Sequence, residues 1–342
     1  MEPAEEDFDA RLDALRALAE PTRLRLARVL CQAELTVTEA TRVIAQSQPS
    51  VSRHLGVLTA AGLVERHQEG ACAFYQATLA PAYRRLIQPL GGPPCAEDDA
   101  RLAVLRAEGA AAVAAYFADR AEDWDASRAT QSLAVAMEAA VREEVAAVAG
   151  GARVAKLVDL GTGTGRMLLS TADLYDEAIG YDDSPQMLRV ARGALREAAN
   201  PAARVRRADI FDLAGGADDG EADVVLLHDV LHFLPDPGGA IAVAGALVGA
   251  EAGGGGHVVV ADLAPHGRED LRASHAHRRL GFDDARMEGW ARAAGLRLDR
   301  VRRVPCGGEP EGRVWRLSAA PNDTSESRPD RARTTREAVV HV

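Results

Sequence analysis

The fold class this sequence predicts is a two-domain one, an α+β unit of helices and a hairpin followed by a doubly wound, Rossmann-like α/β domain. Three observations predict it. The 342-residue, 36.2 kDa chain has room for two hydrophobic cores. Gln88-Pro89-Leu90-Gly91-Gly92-Pro93-Pro94-Cys95 is a glycine- and proline-rich break in an otherwise periodic pattern. Val158-Asp159-Leu160-Gly161-Thr162-Gly163-Thr164-Gly165-Arg166 sets three glycines between a buried-strand run and a helix-like segment. The expected divisions are residues 1–90, a connecting and helical stretch 91–150, a second domain 151–319 and a disordered tail 320–342.

The net charge of −11 and pI near 5.4 exclude a histone-like binder held by charge alone. Any nucleic-acid contact must come from a local basic surface, and Lys156 is the single lysine, so that surface is built of arginine. No apolar run approaches the roughly 18 residues of a membrane span. The opening Met1-Glu2-Pro3-Ala4-Glu5-Glu6-Asp7 is acidic where a signal peptide is cationic, so a cytoplasmic location without membrane attachment is expected. Cys31, Cys72, Cys95 and Cys306 are scattered without a C-x-x-C pair, so neither a disulfide framework nor a sequence-local zinc site is expected, which leaves open a site between two copies using Cys72 or His67.

Apolar positions at Leu12, Leu15, Leu18, Leu24, Leu26, Val29 and Leu30, interrupted at Glu20-Pro21-Thr22, predict two helices with Pro21 near the start of the second. Thr36 to Ala45 predicts a short helix. The next runs from Gln48 to Leu58, with Ser47 able to cap it and Pro49 tolerated in its first turn. Val51, Leu55 and Leu58 fall on one face there, leaving Gln48, Ser50, Ser52, Arg53 and His54 to point elsewhere. A short helix, a tight turn and a second helix of that composition set a recognition helix into the major groove, where glutamine and arginine offer bidentate contacts to adenine and guanine. Gly62 to Tyr75 predicts a hairpin turning at Glu69-Gly70, a wing whose Arg66 and His67 are available to DNA. The first unit therefore reads as a winged helix-turn-helix.

Ala17-Leu18-Ala19-Glu20-Pro21-Thr22-Arg23-Leu24, Val51-Ser52-Arg53-His54-Leu55 and Ala61-Gly62-Leu63-Val64 resemble the ArsR family of bacterial repressors, over about residues 8 to 90. The resemblance implies a homodimer, formed by the first helix and the helix near Pro81 to Leu90, that binds an imperfect inverted repeat in double-stranded operator DNA. Many members of that family sense soft metals through cysteines before the recognition helix. The matching stretch here, Glu34-Leu35-Thr36-Val37-Thr38-Glu39, carries threonines instead, so that metal site is absent. A small helical dimerisation module is the alternative reading of this unit.

Asp98 to Ala149 reads as helical and alanine-rich. Beyond it, Leu157 to Leu160 predicts a buried parallel strand and Met167 to Leu174 a helix packed behind it. The glycine spacing is Asp-x-Gly-x-Gly-x-Gly, neither the dinucleotide pattern nor a P-loop. Ile179-Gly180-Tyr181-Asp182 predicts a second strand ending in an acid about 20 residues past the first glycine, where a ribose-binding carboxylate belongs.

These residues resemble the class I S-adenosylmethionine-dependent methyltransferases. The resemblance implies that Asp159, Gly161, Gly163 and Gly165 wrap the methionine portion and that Asp182 accepts from both ribose hydroxyls. It places Met187 against the adenine, puts Asp209 and Ile210 at its amino group, and makes Ala222 to His232 the fourth strand, with His228 beside the methyl group. Gly256 to Leu263 would be the fifth. His275-Ala276-His277-Arg278-Arg279-Leu280-Gly281-Phe282, with Trp290, resembles a pattern of the ubiquinone-biosynthesis-like branch, and Tyr116 to Asp125 resembles a segment lying over the cofactor.

Methyl transfer needs an aligned acceptor and often a base, for which His228 and Asp229 are the candidates. His232, His275 and His277 are further histidines that could reach the pocket. Together the two units suggest a repressor whose sensor for S-adenosylmethionine or S-adenosylhomocysteine is a methyltransferase-derived domain. The competing reading is an active methyltransferase of a small molecule, with the winged helix controlling its own operon or only dimerising the enzyme.

Overall fold

The computed structural model describes residues 3–121, 124, 132–215, 221–249, 255–305 and 310–319. The chain opens with α1 (Pro3–Leu18) and α2 (Pro21–Leu30), parted as expected at Glu20, whose side chain caps α2 by accepting from Arg23 N. After β1 (Leu35–Thr36) comes α3 (Val37–Ile44), which starts on a full capping box between Thr36 and Glu39. Then follow α4 (Gln48–Ala60), β2 (Val64–Glu69), β3 (Cys72–Ala77) and α5 (Pro81–Ile87), with the small antiparallel sheet ordered β1-β3-β2. Ser47 sits at the N-cap of α4, but its side chain makes no capping bond. Glu69 pairs with Cys72, so the hairpin turns at Gly70-Ala71, one residue later than the expected Glu69-Gly70.

Leu26, Leu30, Leu35, Ile44, Val51, Leu55 and Leu58 form the core of this unit. That core continues past the Gly91-Gly92 break: α6 (Pro93–Arg120), 28 residues long, buries Leu102 and Leu105 in it. Arg25 and Arg28 of α2 pair with Asp98 and Asp99 at the start of α6, fixing it by charge as well as by apolar contact.

The second unit is a seven-stranded sheet ordered β6-β5-β4-β7-β8-β10-β9. Its strands are β4 (Val154–Leu160), β5 (Tyr175–Asp182), β6 (Ala203–Arg207), β7 (Val224–His228), β8 (His257–Leu263), β9 (Leu296–Val304) and β10 (Gly312–Ala319). The first five run parallel and β10 is antiparallel to both of its neighbours. Helices cover both faces: α7 (Ser132–Ala149) and α8 (Arg166–Ser170) on one, α10 (Pro237–Leu247) and α12 (Asp284–Ala293) on the other, with α9 (Pro185–Glu197) following β5. Leu157, Val158 and Leu160 of β4 are wholly buried, as both-sided cover requires. The chain leaves β4 for β5 and β6 on one side and returns to β7 on the other, so the sheet has its switch point at the carboxyl end of β4, where ligands bind in doubly wound folds.

Helix α8 ends at Ser170, short of the expected Leu174. The Thr171 hydroxyl donates to Met167 O at 2.7 Å and Leu174 N to Thr171 O at 2.8 Å, turning the chain into β5. Cys306, Glu122, Asp123, Asp125 and the 320–342 tail lie outside the described residues.

Candidate functional site

At the switch point the glycine loop holds its shape through three left-handed residues, Gly161 (φ 73°), Gly163 (φ 53°) and Gly165 (φ 77°). A Cβ on Gly161 would lie 2.4 Å from Val230 Cγ2, whereas at Gly163 nothing stands within 4 Å, so only the latter faces open space. Asp182 ends β5 and accepts from Gly163 N at 2.8 Å and Ser184 N at 2.9 Å, which locks the acid to the loop. Asp159 accepts from the Thr162 hydroxyl at 2.6 Å.

These residues open on a cavity of about 1070 Å³. Asp159, Gly161, Gly163, Asp182, Met187, Asp209, Ile210, His228 and Asp229, all singled out in the sequence, line it. Gly165 does not: it turns the chain behind the loop, where a Cβ would lie 3.2 Å from Ala191 Cβ of α9. Tyr116, Phe117, Arg120 and Trp124 also line the cavity, and the rings of Tyr116, Phe117 and Trp124 cluster with that of Phe233. Ala276 and Arg278, from the 275–282 motif, also line the wall, as do Arg106 of α6 and Arg272 and Ser274 of α11 (Asp270–Ser274), three residues the sequence did not mark.

The acids are poorly solvated. Burial pushes Asp159 up to about 7, opposed by the Thr162 bond and reinforced by the charge of Asp182. Burial likewise pushes Asp182 up to about 6 against its two amide bonds, and raises Asp183, which also feels Asp209. Desolvated carboxylates facing a cavity call for hydrogen-bond donors and positive charge. S-Adenosylmethionine, with a ribose diol, two amino groups and a sulfonium, meets that demand, so the residues present fit the cofactor.

His228 lies at the end of β7 with Nε2 3.6 Å from Asp229 Oδ2, and Asp229 has a left-handed backbone (φ 52°) unusual for a residue with a Cβ. His232 is 4 % exposed and bonds through Nδ1 to Asp262 Oδ1 at 2.8 Å. Asp229, His232 and Asp262 bring ligand-type atoms within 4.8 Å of one another, a grouping the sequence did not reveal. Asp262 already accepts from His232 N, His232 Nδ1 and Leu263 N, so its charge is met by protein donors alone. His277 stacks on His232, and burial holds its pKa down to about 2, so it stays neutral. His275 packs at a tilt beside Tyr116, with ring centres 6.2 Å apart, and is not among the cavity-lining residues.

On α4, Gln48, Ser52 and Arg53 are exposed, and Ser50 is half-buried with its hydroxyl donating to Gln46 Oε1 at 3.2 Å. Arg66 is exposed on β2 beside Gln68. His54 is the correction in this set. It is 8 % exposed, with Nδ1 3.5 Å from Glu20 Oε2, and belongs to the packed face. The spacing explains it: 51, 54, 55 and 58 form one helical stripe.

Residues 18–67 match the helix-turn-helix domain family, and residues 158–247 match the methyltransferase domain family. Over 85 residues the chain is 39 % identical to a biofilm growth-associated repressor of Agrobacterium fabrum, spanning 25 % of this chain and 72 % of that protein. A biofilm growth-associated repressor of Xylella fastidiosa is 34 % identical over 97 residues, 27 % of this chain and 84 % of its own. The repressor SmtB of Mycobacterium tuberculosis is 36 % identical over 74 residues, 22 % and 55 % respectively. Among solved structures, magnesium protoporphyrin IX methyltransferase from Synechocystis aligns with TM-score 0.44 at 18 % identity, over 55 % of this chain and 85 % of that one. From residue 18 onward, then, the first unit is that of the ArsR/SmtB family of helix-turn-helix transcriptional repressors, to which this chain belongs, and a methyltransferase domain follows it.

Proposed function

We propose that the chain is a repressor whose methyltransferase domain binds S-adenosylmethionine or S-adenosylhomocysteine as its signal. One observation carries the reading: a single helix, α6, runs from the core of the DNA-binding unit into the wall of the cavity. Helix α6 supplies Leu102 and Leu105 to the winged-helix core and, further along, Tyr116, Phe117 and Arg120 to the cavity. A ligand that orders this wall acts on an element anchored at its other end to α2 and α3, which is the differential contact that coupling between two sites requires.

In this reading Asp182 accepts from the ribose hydroxyls and the 161–163 backbone wraps the methionine portion. Met187 and Ile210 flank the adenine, Asp209 meets its amino group, and Asp159 and His228 bound the sulfur end. When bound, S-adenosylmethionine supplies a cationic methyl donor, and S-adenosylhomocysteine is the same molecule without that methyl and charge. On the DNA side, Gln48, Ser50, Ser52 and Arg53 read bases and Arg66 meets phosphate. A second copy covers the exposed Phe8 and Leu15 of α1 and Leu86 of α5, giving the two-fold arrangement that reads an inverted repeat.

The aromatic lining of the cavity favours a second reading. Space bounded by Tyr116, Phe117, Trp124 and Phe233 suits a flat methyl acceptor, and His228 or Asp229 would take its proton. The deciding measurement is operator affinity by fluorescence anisotropy at fixed salt, on the protein's own upstream DNA, without cofactor and with each of the two. A several-fold shift that Asp182→Ala abolishes supports the sensor. Unchanged affinity in a protein that binds both DNA and cofactor, together with a methylated product from a panel of aromatic acceptors, supports the enzyme.

A further inference from the structure

We infer that three acids of the winged helix, Glu34, Glu39 and Glu69, and the arginines of segment 269–286 form the relay that carries pocket occupancy to the DNA-binding unit, an inference that rests on the sensor reading. The segment is two-sided. One side, through Arg272, Ser274, Ala276 and Arg278, is cavity wall. The other side grips the winged helix at three places.

The first place is the start of α3. Arg278 Nη2 lies 2.8 Å from Glu39 Oε1, while the other oxygen of Glu39 accepts from Thr36 N at 2.8 Å and closes the capping box. A cavity residue is thus one ion pair from the first turn of the helix that precedes α4. The second is the wing tip. Glu69 Oε2 accepts from Leu280 N at 3.2 Å, with Arg286 3.3 Å and Arg272 3.7 Å from its carboxylate. Ala71 N donates to Glu269 Oε1 at 2.7 Å, and Gly70 sits so close that a Cβ there would lie 1.9 Å from the same oxygen. The third is Glu34, paired with Arg279 at 2.9 Å and with Arg286, while the Arg279 guanidinium lies 3.7 Å from the ring centre of Phe74 on β3.

The main chain ties this plate to the reacting end of the pocket. Arg278 N and Arg279 N both donate to His232 O, at 2.9 and 3.0 Å, on the stretch that follows His228 and Asp229. The centre of the cluster is dry, with Arg279 0 % and Glu34 2 % exposed, while Arg272, Arg278 and Glu39 at its rim stay in part exposed. Buried charges hold to discrete pairings instead of sliding, because every intermediate position strands a desolvated charge. Arg279 Nη1 and Nε and Arg272 Nη2 have no hydrogen-bond partner within the described residues, so the pairing seen leaves donors unused and a second pairing is within reach. A ligand that draws on Arg272 or Arg278 from the cavity side shifts the balance between the two, and α3 and the wing move with it.

The test keeps the pocket, the recognition face and the fold intact. Glu39→Gln retains the carbonyl oxygen that closes the capping box but loses the charge that holds Arg278. Glu269→Ala removes the acceptor of the wing-tip amide at a side chain 41 % exposed. Neither residue lines the cavity or the exposed side of α4. Operator affinity is measured with and without S-adenosylhomocysteine, and S-adenosylhomocysteine affinity with and without operator, in the native protein and in the double variant. The native protein should show the same several-fold factor in both directions, since linkage is reciprocal. In the variant, which frees α3 and the wing-tip amide but keeps the Glu34 and Glu69 pairs, that factor should fall to less than half its native value, with each affinity measured alone within about twofold of native. Full coupling in the variant overturns the relay and leaves the sensor reading standing. A native protein that binds both partners without either affecting the other overturns the sensor reading, and the relay with it.

Discussion

At the scale of single residues, the two acids under the glycine loop set how the pocket answers pH. Burial holds Asp182 near 6 in the free protein. Two ribose hydroxyls donating to the carboxylate favour the ionised form, so near and below pH 6 binding releases a proton, and affinity is full above about pH 7. Below 6, S-adenosylhomocysteine affinity should fall by up to about tenfold per pH unit. Calorimetric titration from pH 5 to 8 checks this, and the slope should flatten in Asp182→Asn; a flat native profile would remove the ribose assignment. Asp159 bears on stability. It titrates near 7 in the fold against an ordinary value of 3.8, so the native state keeps a proton that the unfolded chain has already lost. Stability contributed by the protonated form is therefore complete below about pH 4 and lost as pH rises to about 7. Asp159→Asn keeps an oxygen for the Thr162 hydroxyl and needs no ionisation, so denaturant melts at pH 8 should show about 2–4 kcal/mol of stabilisation that is absent at pH 4.

At the scale of elements, α4 separates two neighbouring residues that the sequence grouped together. Arg53 is exposed, and Arg53→Ala should weaken operator binding by about 1–3 kcal/mol without lowering the melting temperature. His54 faces Glu20 under the helix, so His54→Ala should lower the melting temperature and leave base preference unchanged; the reverse pattern in the two variants would invert the placement of the helix. Short-range chemistry made most elements legible: Pro21 opening α2, the turn residues of the hairpin, and the strand-glycine-strand order that marked the 161–165 loop and Asp182, while Met187, Asp209, Ile210 and His228 came from the methyltransferase resemblance. What the sequence hid depends on partners far along the chain. Glu69 reads as a solvated turn residue until Leu280, more than 200 positions away, donates to it. Arg106 and Arg272 look like ordinary surface charges on amphipathic stretches, because nothing local distinguishes an arginine facing solvent from one facing a cavity 100 residues distant.

At the scale of the whole molecule, the exposed apolar residues make an argument about assembly. Phe8 is 66 %, Leu15 46 % and Leu86 59 % exposed, and the three come from α1 and α5, the elements from which the family resemblance implies a dimer. Leaving such side chains in water forgoes roughly 1.5–3 kcal/mol apiece relative to burial, so covering them symmetrically supplies a driving force of the right sign. The cavity and segment 269–286 use other residues, so association and cofactor binding should be separable. Phe8→Glu combined with Leu86→Glu should convert the protein to a monomer in sedimentation velocity. Full-operator affinity should then drop by roughly two orders of magnitude, as expected when two tethered half-site contacts become independent. Affinity for a single half-site and for S-adenosylhomocysteine should stay near native. A variant that still sediments as a dimer would move the interface away from α1 and α5. A monomer that keeps full operator affinity would mean that one winged helix, with its own methyltransferase domain beside it, is the complete reading unit.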